Sequence, residues 1–247
     1  MKAAWYEQQG AARAVLQVGD METPLPGAGE VRVRLGAPGI NPGDVRKRQD
    51  AFGVGMPFPR IIPHSDGAGT IDAVGPGVPD ACVGRRVRCF GAQTYRPWGT
   101  AAEYTVLLLG QTIALPAGAS MELGACLGIP GITAYRAIQA AGSLYGKTVL
   151  VQGAAGAVGS CAVQLAHRAG ARVIATCRTQ RALDVAIGNG ADHVLLIDDA
   201  LARSVHAIAP EGVDHIVEVA FGENVVLDLG LCQPCRNTTD SVLGAAV

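Results

Sequence analysis

Residues 149–159 carry the clearest chemical signal in this 247-residue chain. Val149-Leu150-Val151-Gln152 runs into a glycine–alanine turn, and Val158, Cys161, Leu165 and Ala169 then recur at helical spacing. The pattern predicts a strand, a tight turn and a helix. Gly153 and Gly156 leave the backbone of the turn bare, and Gly159 lets the helix pack close to its strand. A helix N-terminus at this point offers unpaired N–H groups and a partial positive charge, which suits a pyrophosphate. The spacing is G-x-x-G-x-x-G, with Ala154 and Ala155 where the dinucleotide fingerprint G-x-G-x-x-G has its middle glycine. An ordinary βα turn is the alternative reading of such a run, so the elements around it decide.

Proline divides those elements into two kinds. Twelve of the fourteen prolines lie at or before Pro130, and only Pro210 and Pro234 follow. The first half reads as short strands joined by turns, over residues 31–35, 69–74, 86–90 and 101–107, a mostly antiparallel β domain with little helix. The second half alternates: strands over 148–152, 172–176, 193–197 and 215–219, with helices over 157–168, 181–187 and 201–209 between them. Such alternation with apolar strands predicts a parallel sheet wrapped by helices. The boundary falls near residues 123–131. The chain thus divides into a β domain over 1–125, an α/β domain over 126–230 and an atypical tail over 231–247.

Composition narrows the function classes. The chain is 49% hydrophobic and 17% charged, ample for a buried core, and its net charge of −1 gives no reason to expect a nucleic-acid or anionic-membrane partner. No apolar run reaches membrane-spanning length, and residues 1–7 lack the apolar core of a signal peptide, so a soluble, cytoplasmic protein is expected. Most of the seven cysteines sit in apolar stretches, where a thiol behaves as a small hydrophobe. Cys232 and Cys235 form the one close pair. With no second pair or histidine at zinc spacing, they read as structural rather than redox-active or metal-binding.

Several motifs stand in a recognisable order: Pro26-Gly27-Ala28-Gly29-Glu30-Val31, Gly39-Ile40-Asn41-Pro42-Gly43-Asp44, His64-Ser65-Asp66-Gly67-Ala68-Gly69 and Val83-Gly84-Arg85-Arg86-Val87. Ala101-Ala102-Glu103-Tyr104, Gly131-Ile132-Thr133-Ala134-Tyr135, the Gly153 turn and Gly190-Ala191-Asp192-His193-Val194 complete the series. From Met1 to about Leu229 the chain resembles the zinc-independent medium-chain dehydrogenase/reductases of the NADPH:quinone oxidoreductase type. The resemblance implies a GroES-like β domain that supplies the substrate and catalytic groups, followed by a Rossmann domain that binds NADPH. It also implies hydride transfer from NADPH to a quinone or similar conjugated carbonyl.

The same resemblance assigns site residues. Asn41 lies near the nicotinamide and the substrate carbonyl, as catalytic and cofactor-binding residue. Thr133 contacts the nicotinamide end, and Phe52 occupies a position where relatives often carry a tyrosine lining the substrate pocket. Gly153, Ala155, Gly156, Ala157, Val158 and Gly159 form the cofactor turn, and Phe221 joins the cofactor-binding set. From the residues alone, Asn41 before Pro42 also reads as a turn former. Zinc-dependent relatives have a cysteine at the place of Asn41 and a His-Glu pair at Ser65-Asp66; an amide cannot supply the thiolate that zinc prefers, so no metal is expected. His64 lies one position off and reads as structural. A quinone accepts hydride readily and its reduced anion can take a proton from water, leaving orientation and water exclusion to the protein.

For the choice of cofactor, an NAD site needs a carboxylate at the end of the second strand to accept the ribose 2′-hydroxyl. Residues 175–181 contain no acid there but do contain Arg178 and Arg181, which suit a 2′-phosphate. A solvated basic helix start is the other reading. Ile197 stands where family members often place a tyrosine on the adenosine side.

The resemblance lapses after Leu229. Relatives complete the sheet with two more strands, which carry part of the nicotinamide-side wall and commonly the contact of a homo-oligomer. The tail here suggests an altered terminus of a once longer reductase, with an unpaired edge on the fourth strand, weakened cofactor binding and low activity. Two other readings stay open: reduction of the C=C bond of enones or enoyl thioesters, and a non-catalytic NADPH-binding protein. Alcohol dehydrogenation ranks last.

Overall fold

The structure is a computed structural model that describes residues 1–233 and the backbone of Ser241 and Val242. It divides into two compact units, Met1–Ile129 and Pro130–Val247.

The first unit comprises β1 (Lys2–Trp5), α1 (Ala12–Val15), β2 (Gln17–Asp20), β3 (Glu30–Gly39), α2 (Pro42–Arg48), β4 (Asp66–Val74), β5 (Arg86–Cys89), β6 (Tyr104–Leu108), β7 (Thr112–Ala114) and α3 (Met121–Ala125). Strands β6-β3-β4-β5-β7 form an antiparallel sheet in that order, and β1 pairs with β2 in a separate ribbon. Val31 and Val33 alternate with exposed or half-buried residues along β3. They join Ile71, Val87, Cys89 and Leu107 in one buried cluster, as a period of two requires of a half-covered sheet. Helix α2 starts at Asn41-Pro42 because proline at the first helical position has no N–H to leave unpaired. Its Asp44 carboxylate accepts the Asn41 N–H at 2.8 Å.

Helix α4 (Ile129–Ala140) leads into the second unit, which continues with β8 (Thr148–Val151), α5 (Ala157–Arg168), β9 (Arg172–Cys177), α6 (Gln180–Gly188) and β10 (His193–Leu196). Helix α7 (Leu201–Ile208), β11 (His215–Glu218), α8 (Phe221–Leu231) and β12 (Ser241–Val242) follow. The sheet is parallel in the order β10-β9-β8-β11-β12. Its strands bury alternate residues on opposite faces. Val149, Val151, Val173, Ala175 and Val217 meet Ala162, Val163 and Ala166 of α5, while Leu150, Ile174 and Ile216 meet Leu201, Val205 and Leu231. Burial on both faces is why these strands are apolar throughout rather than alternating. The architecture is a GroES-like antiparallel domain and a Rossmann-like parallel domain, as the sequence leads one to expect.

Among the differences from the sequence reading, three stand out. Strand β6 starts at Tyr104, because residues 101–103 are spent on turns and on an isolated bridge between Ala102 and Ala3. Helices α4 and α8 are additional, the latter occupying much of the stretch before the tail. The expected unpaired edge on the fourth strand is not there: β11 pairs with β12, Val217 opposite Ser241 and Glu218 opposite Val242. Backbone pairing needs only an extended segment in reach, not an apolar one, so the tail can satisfy the edge without reading as a strand. Cys232 makes an isolated bridge with Val213, while Cys235 lies outside the described residues. No helix among the described residues is long and apolar enough to cross a membrane.

Candidate functional site

Strand β8 lies between β9 and β11, and the chain leaves it toward β9 by way of α5, so the direction of winding reverses beside it. Open parallel sheets bind ligands outside the carboxyl ends of their strands at such a point. The turn after β8 has Gly153 at φ +61°, and the Gly156 N–H closes it onto the Gly153 carbonyl at 2.9 Å. A Cβ on Gly159 would stand 2.3 Å from the Gly153 carbonyl oxygen, so only glycine lets the helix start this close to its strand. Gly156 is the N-cap of α5 and no side chain caps the helix. The N–H groups of Ala157, Val158 and Gly159 therefore have no intrahelical acceptor, and Gly156 and Ala157 are exposed. Helix α5, twelve residues long, thus begins on a glycine turn with unpaired N–H groups of the kind that suit an anion.

The other sequence-derived residues of this unit lie on the elements that follow or precede this turn. Arg178 directly follows β9, Thr179 caps α6 through its side chain, and Arg181 is the second residue of that helix, both arginines being exposed. Phe221 opens α8 at the end of β11 and is partly exposed. Val219 reaches the turn, its Cγ2 lying 3.0 Å from where a Cβ of Gly153 would sit. Thr133 lies on α4, half-buried. The fold thus brings the Gly153 turn, Arg178 and Phe221 to the carboxyl ends of β8, β9 and β11. It adds Glu223, which the sequence reading overlooked: its carboxylate lies 3.4 Å from the Arg178 guanidinium, both side chains being well exposed. Beneath the turn, the Thr176 hydroxyl donates to Gln152 Oε1 at 2.9 Å and Gln152 Nε2 donates to Asp228 Oδ1 at 2.7 Å, a buried chain tying β9 and β8 to α8.

Asn41 and Phe52 belong to the first unit. Phe52 is half-buried in the turns after α2. Asn41 is only 5% exposed and is more than a turn former: its Nδ2 donates to Asp66 Oδ2 at 2.8 Å. The same oxygen accepts the Ile129 N–H at 2.7 Å, while Asp66 Oδ1 is buried without a hydrogen-bond partner. Burial pushes the Asp66 carboxyl up to about 6, against its hydrogen bonds from Ile129 and Asn41; Asp44 adds to the rise and Arg88 opposes it. His64 adopts φ +75° and sets its Nδ1 3.1 Å from Asp44 Oδ2. The signal for Asp66 and Asp44 was an acid beside each glycine motif, legible as motif but not as a cluster. Among the described residues no three His, Cys, Asp or Glu side chains gather where they could hold a metal ion.

Comparison with known proteins accords with this arrangement. Residues 27–117 match the alcohol dehydrogenase GroES-like domain and residues 157–234 the zinc-binding dehydrogenase model. A quinone oxidoreductase from Thermus thermophilus, solved also with NADPH, superposes with a TM-score of 0.79 at 31% identity, over 94% of this chain and 70% of that one. The chain belongs to the medium-chain dehydrogenase/reductase family, quinone oxidoreductase type. The quinone oxidoreductase of Rattus norvegicus is 33% identical over 215 residues, 86% of this chain. This chain spans 64% of that relative's length. A structure described as an NAD-dependent alcohol dehydrogenase superposes with a TM-score of 0.86 at 28% identity, over 94% of this chain and 75% of that one. The first of the two domain models spans Asn41 and Asp66, whose Oδ2 accepts N–H groups from both Asn41 and Ile129.

Proposed function

We propose that this medium-chain dehydrogenase/reductase binds NADPH and directs hydride to a quinone or similar small conjugated carbonyl without a metal. The observation that carries the reading is the uncapped, glycine-bounded N-terminus of α5 with Arg178 following the adjacent strand. The N–H groups of Ala157, Val158 and Gly159 take the pyrophosphate, with Ala155 and Gly156 in backbone contact beside them. Arg178 and Arg181 take the ribose 2′-phosphate, where a guanidinium suits the three phosphate oxygens better than a ribose hydroxyl. Phe221 lies along the cofactor. When bound, the reduced nicotinamide supplies the hydride.

The remaining roles fall to neutral polar and aromatic groups, as suits an acceptor that needs orientation more than activation. Asn41 donates an N–H to the substrate carbonyl, Thr133 steadies the nicotinamide end, and Phe52 offers the substrate an apolar wall. In this reading residues 1–125 serve the substrate and residues 126–230 the cofactor.

Calorimetric titration of the purified chain with NADPH and with NADH, followed by an acceptor panel of quinones and enones, tests the proposal. Saturable binding that favours NADPH, with oxidation by quinones, is the expected result. Equal affinity for the two cofactors removes the role of Arg178 and Arg181. Binding without oxidation by any acceptor makes the chain a cofactor-binding protein instead, and preference for enones makes it a C=C reductase.

A further inference from the structure

The buried carboxylate of Asp66 does something that a neutral side chain could not. Asn41 has an amide with two near-identical ends, one donating and one accepting, and only its neighbours decide which end faces inward. A carboxylate has no proton to give, so an inward-facing Asn41 oxygen would stand against another oxygen. A serine or asparagine at the place of Asp66 could donate as well as accept and would leave both orientations open. The Ile129 N–H, 2.7 Å from Oδ2, fixes which carboxylate oxygen meets Asn41. Gly128 closes the pocket from the other side: a Cβ there would lie 2.1 Å from Asp66 Oδ1, so nothing larger than glycine lets the carboxylate sit here.

We propose that Asp66 is the positioning residue of this site. Its carboxylate locks the Asn41 carboxamide with one N–H inward and leaves the second N–H for the carbonyl oxygen of a quinone-class substrate. The role of Asn41 toward substrate rests on the function proposed above; the lock itself does not.

The lock carries a pH dependence. A proton arriving at Asp66 goes to the unpartnered Oδ1, and Oδ2 then becomes a neutral acceptor, whose bond to Asn41 is roughly half as strong as the charge-assisted one. The carboxyl is pushed up to about 6, which places this weakening in an accessible range. The charged and titratable groups facing it are Asp44 on α2, which raises it, and Arg88 on β5, which lowers it and donates to the Leu127 carbonyl at 3.0 Å. Cys89, also on β5, is pushed up to about 12 by burial and stays neutral. His64 lies beside Asp44, its Nδ1 3.1 Å from Asp44 Oδ2.

The test reads the amide first and the reaction second. The side-chain N–H resonances of Asn41, assigned with N41A, are followed by ¹⁵N NMR from pH 4.5 to 8 in the wild type, H64Q and D66N. One N–H shifted far downfield, with a single step near pH 6 in the wild type and H64Q and none in D66N, is the expected result. An amide that does not titrate, or that titrates in D66N as in the wild type, overturns the lock. Should D66N fail to fold, the ¹³C carboxyl resonance of Asp66 in the wild type must share its midpoint with the Asn41 amide; separate midpoints overturn the lock equally. For the reaction, NADPH oxidation by 1,4-naphthoquinone is expected to lose about tenfold in kcat in D66N, with KM for NADPH unchanged. The pH step near 6 also disappears, and D66N causes no further loss in an N41A background. Loss in N41A without loss in D66N overturns the part assigned to Asp66 alone. Unchanged turnover in N41A overturns the substrate role of Asn41, and with it the reading on which this inference rests.

Discussion

Removing the acid beside Arg178 should sharpen the choice of cofactor. Glu223 lies in the first turn of α8 with its carboxylate 3.4 Å from the Arg178 guanidinium, and the side chains are 72% and 76% exposed. A 2′-phosphate that uses Arg178 must displace Glu223 and then tolerate it nearby. At this separation in water the Coulomb energy of a unit pair is about 1 kcal/mol, and exposed pairs deliver roughly 0.2–1 kcal/mol once side-chain entropy and screening are counted. Glu223→Gln is isosteric and removes only the charge. NADPH affinity should therefore rise by about two- to fivefold, with NADH affinity unchanged. The assay is calorimetric Kd determination for both cofactors in both proteins at low and high salt. The gain should shrink as the Debye length falls from about 30 Å at 0.01 M to about 3 Å at 1 M. Arg178→Gln is the companion: it should weaken NADPH by about tenfold or more while sparing NADH, because a charge-assisted contact to phosphate is lost. A Glu223→Gln protein that binds NADPH no better, or that gains equally for NADH, would refute the assignment of Arg178 to the 2′-phosphate.

Other outcomes follow from the same geometry. Gly159→Ala puts a Cβ 2.3 Å from the Gly153 carbonyl oxygen and 2.8 Å from the Ala154 Cα, both backbone atoms. Differential scanning calorimetry should show a loss of about 1–3 kcal/mol, and calorimetric titration a loss of NADPH binding. Gln152→Ala breaks the buried bonds to Thr176 and Asp228, and chemical denaturation should show a loss of about 2–4 kcal/mol. Asp66 is pushed up to about 6 in the folded chain, above its ordinary value of 3.8, so the folded state binds the proton more tightly than the unfolded one. Its contribution is most favourable below pH 4 and falls by about 3 kcal/mol as pH rises through 6. The wild type, compared with D66N across that window by urea denaturation, should lose stability relative to the variant; a flat difference counts against the buried anion.

The parallel sheet was readable because its strands are buried on both faces and its helices on one, so apolar runs and 3.6-residue periodicity alternate along the chain. The glycine turn was readable because the backbone approach at Gly159 leaves no room for any other residue. Helices α4 and α8 were not. Several of their apolar residues, Ile132, Val226 and Leu229 among them, stay exposed, so apolar and buried positions do not coincide and the pattern a helix prints on a sequence is blurred. The two-residue strand β12 left no trace at all, since a backbone ladder constrains hydrogen bonds rather than side-chain types.

The site divides in the same way. Sequence determined its local pieces: the turn that bares the N-terminus of α5, two arginines after the second strand, and an asparagine before a proline. Those depend on neighbours in the chain, where steric and capping rules act over a few residues. Tertiary structure alone decided which polar and charged groups meet. Glu223 reaches Arg178 across 45 residues and Asp66 reaches Asn41 across 25, each by a strand or helix returning to the same end of its sheet. Electrostatics depends on distance and burial, and neither is written in residue order.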